Sequence, residues 1–108
     1  MIQHKYSRSR IVFFLAQCYI KIRGFERTIK NCTEALQIDS KNVKALFRIS
    51  IAYRSIQQFE QARTHLNTAI NFEPYNNEII EEAQRLDRAI EQQKKNEQKL
   101  YYRMFNKQ

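Results

Sequence analysis

A chain of 108 residues with a formal charge of +8 has room for one domain, not for a catalytic domain beside a substrate domain. A hydrophobic fraction of 43%, with seven Phe and six Tyr, marks a globular chain rather than a disordered one. One Gly and one Pro exclude an all-β fold, which needs turn residues at short intervals, and leave no glycine-rich phosphate loop.

What remains is an all-α chain, and its helices can be placed in order. An extension over residues 1–8 precedes a first helix, Ser9–Ile22, which ends at Arg23-Gly24 where glycine supplies a C-cap. Glu26–Ile38 forms a second helix closed by Asp39-Ser40. Asn42 or its neighbour opens a third, Val43–Ile56, and a fourth, Phe59–Phe72, stops before Pro74. Asn76 or Asn77 then caps a long fifth helix reaching about Phe105. In its first half Ile79, Ile80, Ala83, Leu86 and Ile90 keep helical spacing. A polar run follows, and Leu100, Tyr101, Met104 and Phe105 make a new apolar patch suited to docking. The fifth helix is therefore expected to cap the array with one half and project with the other.

The first four helices repeat. Leu15, Ala16, Tyr19, Phe25, Ala35 and Asn42 return as Ile49, Ser50, Tyr53, Phe59, Ala69 and Asn76, each displaced by 34 positions. That period resembles the tetratricopeptide repeat, a helix-turn-helix unit that stacks into a solenoid. Small residues at Ala16, Ser50, Ala35, Ala62 and Ala69 allow close helix approach, and the aromatic positions fill the gaps between helices. The resulting organisation is repeat one over residues 9–42, repeat two over 43–76 and a capping helix over 77–108.

With the register set, Val43-Lys44-Ala45-Leu46-Phe47-Arg48, then Phe59-Glu60-Gln61-Ala62 and Lys99-Leu100-Tyr101-Tyr102-Arg103-Met104-Phe105 resemble the C-terminal repeat domain of large immunophilins, prolyl isomerases of the FK-binding and cyclophilin types. The resemblance implies a non-enzymatic module, because neither the isomerase domain nor the first of the usual three repeats is represented. It also implies a carboxylate clamp for the Glu-Glu-Val-Asp tail of heat-shock chaperones. Lys44 and Arg48 match two of its cations, whereas its middle-repeat Asn falls on Phe14, which cannot hydrogen-bond a carboxylate.

In such repeats the first helix of each unit lines the concave face. That places Arg10, Phe13, Phe14, Gln17, Ile20 and Lys21 in one groove with Lys44, Phe47, Arg48, Ile51 and Arg54. Neither contributing helix holds an acid. Residues 1–59 carry eleven Lys or Arg against Glu26, Glu34 and Asp39, while residues 60–108 carry eight of each sign. A basic groove interrupted by Phe and Ile suits a protein segment that mixes carboxylates with apolar anchors: an acidic segment, a chaperone tail or a neighbouring subunit of an assembly. Single-stranded RNA is disfavoured, since the aromatic residues occupy repeat-packing positions.

The remaining constellations carry no chemistry. His4 and His65 lack ligand-type neighbours at helical spacing, so no metal or other cofactor is expected. Glu78, Glu81 and Glu82 lie in the first turns of a helix, where they complement its dipole. Cys18 and Cys32 have no redox or metal spacing and read as reduced core thiols of an intracellular, cytoplasmic protein, or of a mitochondrial or axonemal complex. The acid-free first 25 residues weakly resemble an import presequence, but a basic helix face explains them better. No segment is apolar enough for a membrane span, and nothing provides for a small-molecule substrate.

Overall fold

Four helices follow one another: α1 (Ile2–Ile38), α2 (Val43–Ser55), α3 (Phe59–Phe72) and α4 (Asn77–Phe105). The computed structural model describes the backbone of residues 2–106 and the side chains of residues 11, 12 and 14–106, and no strand occurs among them. Two asparagines set the starts of helices as expected. Asn42 Oδ1 accepts the Ala45 N–H at 3.1 Å ahead of α2, and Asn76 Oδ1 accepts the Glu78 N–H at 3.0 Å ahead of α4. Each bond satisfies a backbone donor that a helix start leaves open, worth about 1 kcal/mol.

The core sits where α2, α3 and the first half of α4 meet. Leu46, Ala62, Leu66, Ala69, Ile79 and Leu86 form one buried cluster, with Val43, Phe47, Tyr53, Phe59, Ala83 and Ile90 packed on its edges. Ala62 and Ala69 are fully buried, so α3 closes on its neighbours with only a methyl group between backbones. Ser50 is buried as well, and its hydroxyl donates to the Leu46 carbonyl at 2.7 Å, leaving no orphaned polar atom. These are the small positions that the repeat demands. Beyond Ile90 the α4 side chains are exposed apart from a half-buried Gln93, and the helix projects from the body.

The N-terminal third departs from the expected hairpin. No turn forms at Arg23-Gly24; residues 2–38 make one continuous helix, and Gly24 lies inside it. A helix of 37 residues is about 55 Å long, which accounts for the 57 Å long axis of the molecule. The α2–α3 turn shows why. Its left-handed position is Gln57, at φ 63°, and 34 residues earlier that position is Arg23, not Gly24. The glycine therefore stands one residue away from where it would relieve strain, and a left-handed arginine costs about 1–2 kcal/mol. Gln57 bears a similar strain in a turn whose following helix, α3, is buried between α2 and α4.

Among the described side chains, it is those of the second half of α1 that join the core. Cys32 meets Ala45 and Ile49, with Ile29, Ala35 and Leu36 around them. Burial pushes the Cys32 thiol above its usual value of 9.0, opposed in part by the positive charge of Arg48. A raised pKa favours the neutral thiol in the folded state, so its contribution to stability is complete below pH 9.0 and lost as pH rises through the folded value. At neutral pH, iodoacetamide is expected to modify half-exposed Cys18 at least about tenfold faster than Cys32, as peptide mapping can measure.

Candidate protein-binding groove

Residues 44, 47, 48, 51 and 54 recur at three- and four-residue steps, which brings them to one side of α2. Lys44 and Arg48 are exposed, and Phe47, Ile51 and Arg54 are half-buried. Lys44 and Arg48 have no ion-pair partner among the described residues. Phe47 leans on the core cluster, so only part of its ring faces outward.

Arg54 has a different role from the one its position on α2 implies. Its guanidinium grips Glu82 of α4 with two bonds, Nε to Oε2 at 2.5 Å and Nη2 to Oε1 at 3.1 Å. The Glu82 side chain is only 1% exposed, and Arg85 adds a second charge at 3.7 Å from Oε1. This fork fixes the carboxylate in plane and ties α4 to α2. Glu82 is therefore more than a complement to the helix dipole, and the groove is not free of acid. Its spacing gave a signal: Glu82 lies three residues after Ile79 and four before Leu86, on the buried face of α4. Arg63 and Asp87 form a further pair, between α3 and α4, at the surface.

The other half of the expected groove is not brought to α2. Phe14, Gln17, Ile20 and Lys21 lie on the first half of α1, all exposed, with Phe14 at 65%. Phe14 is eighteen residues from Cys32 on the same straight helix, about 27 Å along its axis. Arg10 and Phe13 belong to that half too, but their side chains lie outside those described. An open cleft of about 550 Å³ runs instead between the α2–α3 turn and α4, with Arg54, Gln57, Phe59 and Leu100 on its walls.

At the far end of α4, Leu100, Tyr101, Met104 and Phe105 are each 60–69% exposed, and the Tyr101 and Phe105 rings lie 4.4 Å apart. The residues of that patch are thus open to solvent. His65 stacks on Tyr53 at 5.5 Å and makes a 2.8 Å bond to the Gln61 carbonyl oxygen, and no cluster of metal-ligating groups occurs among the described residues. No described helix is long and apolar enough to cross a membrane.

No family model matches the chain. Individual proteins do. Over 93 residues, 86% of its length, it is 33% identical to the peptidyl-prolyl cis-trans isomerase FKBP4 of Bos taurus, and equally to that of Homo sapiens. The Mus musculus FKBP4 is 31% identical over a span of the same length. The chain resembles the tetratricopeptide region of a large immunophilin. It spans 20% of the length of these relatives, and the match falls in their non-catalytic part. Like such a region, the chain is all-helical among its described residues.

Proposed function

We propose that this immunophilin-like module works as a non-enzymatic, cytoplasmic adaptor that holds an acidic, apolar-anchored protein segment along α2. The observation that carries the reading is the pair Lys44 and Arg48, exposed one turn apart without an acid on their helix and flanked by Phe47 and Ile51. Arg48 can take a carboxylate in a two-bond fork and Lys44 can add a point charge, each charged bond worth about 1.5–3 kcal/mol. Arg54 contributes by fixing α4 beside that face. The chaperone tail is a poor ligand, because Phe14 occupies the clamp's asparagine position and stands far from Lys44.

Titration calorimetry with an acidic peptide bearing Phe and Leu anchors tests this. Arg48→Ala is expected to weaken binding by about tenfold or more, Lys44→Ala by less, and raised salt should weaken both the wild type and the variants. A Glu-Glu-Val-Asp peptide should bind only at about millimolar concentration. Affinity that is indifferent to Arg48→Ala and to salt would overturn the reading. A second reading, a structural subunit embedded in a larger assembly, is favoured by the apolar surface exposed at both ends of the molecule.

A further inference from the structure

The two repeat units share a register but not a burial pattern. Ile49 is 1% exposed and its counterpart Leu15 is 61% exposed; Ser50 is buried and its counterpart Ala16 is exposed. On the receiving helix, Ala62 and Ala69 are fully buried, whereas their counterparts Thr28 and Ala35 are only half-buried. Both halves of a repeat interface are therefore present in the first unit and remain apart. The straight α1 holds them apart, because one rigid helix cannot fold its two halves onto each other.

We propose that the chain pairs with a second copy of itself through α1, the N-terminal half of each α1 lying antiparallel along residues 26–38 of the other. The occupant follows from the register, since the surface complementary to residues 11–22 is encoded in this same chain. The level of pairing follows from the second unit. There Tyr53 stacks on His65, and one repeat earlier these positions are Tyr19 and Asn31. Pairing Tyr19 of one copy with Asn31 of the other centres the two-fold axis at residue 25, beside the only glycine in the chain. A Cβ added at Gly24 would meet nothing within 4 Å, so the crossing point offers an open backbone for close approach. Exchanging an identical element between copies keeps the contacts of the closed repeat and dispenses with its strained turn.

Two measurements on the full chain test this. Light scattering after size exclusion should give twice the 13.1 kDa chain mass, and a monomer at micromolar concentration would overturn the proposal. For the second, Tyr19→Cys and Asn31→Cys are introduced with Cys18→Ser and Cys32→Ala. Within one straight helix those two sites are about 18 Å apart, beyond a short bis-maleimide. Cross-linking is expected to yield covalent dimers. Cross-linked monomers would show that α1 folds back within one copy, and the absence of any product would show that the halves never meet; either result overturns the proposal. Arg23→Gly, which puts glycine at the left-handed turn position, should convert dimer to monomer. An Arg23→Gly chain that stays dimeric would also count against the exchange.

Discussion

Arg54→Ala is expected to destabilise the protein by about 3–5 kcal/mol, the range for a buried ion pair stripped of one partner. The two ends of the pair are not equivalent. Arg54 keeps 26% of its side chain exposed and can turn toward water, whereas Glu82 at 1% has no such route and would retain only Arg85 at 3.7 Å. Glu82→Gln, which preserves shape and most hydrogen-bonding capacity, should therefore cost less, about 1–2 kcal/mol. Arg54→Met combined with Glu82→Leu should recover much of the loss, since apolar pairs of similar volume often replace buried ion pairs without penalty. Urea denaturation followed by helical circular dichroism measures all three. A cost below about 1 kcal/mol for Arg54→Ala would place this pair among ordinary surface contacts.

Ile49→Ala should cost about 2–5 kcal/mol, and Leu15→Ala, at the same register position one repeat earlier, less than about 0.5 kcal/mol in the monomer. Ile49 is 1% exposed in the cluster that joins α1 to α2, so truncation leaves a cavity with Cys32 and Ala45 on its wall. Leu15 is 61% exposed and removing its methyl groups leaves no void. The comparison is made by chemical denaturation at protein concentrations low enough to keep the chain monomeric. At higher concentration Leu15→Ala should instead weaken self-association. Equal costs at the two positions in the monomer would mean that the first unit closes on itself.

The all-α class was legible because one Gly, one Pro and a 34-residue spacing of small and aromatic residues leave a helix array as the consistent solution. Asn42 and Asn76 declared their helices, since a cap is a local device whose donor and acceptor lie within three residues of each other. Lys44, Arg48 and their apolar neighbours could be assigned to one face for the same reason: helical spacing is a property of the segment alone.

The tertiary structure decided what depends on a neighbour. Arg54 read as a free groove cation until α4 brought Glu82 against it, twenty-eight residues further along the chain. Arg23-Gly24 read as a turn because glycine supplies a C-cap, yet the left-handed position of the corresponding turn, Gln57, falls on Arg23. A following helix does not by itself force that turn: α2 packs on the second half of α1 as α4 packs on α3, and residues 23 and 24 stay helical. Local spacing determined which residues share a helix face in this protein. Only packing decided which of those faces meet, because the energy that bends or straightens a helix here comes from the surface it can bury.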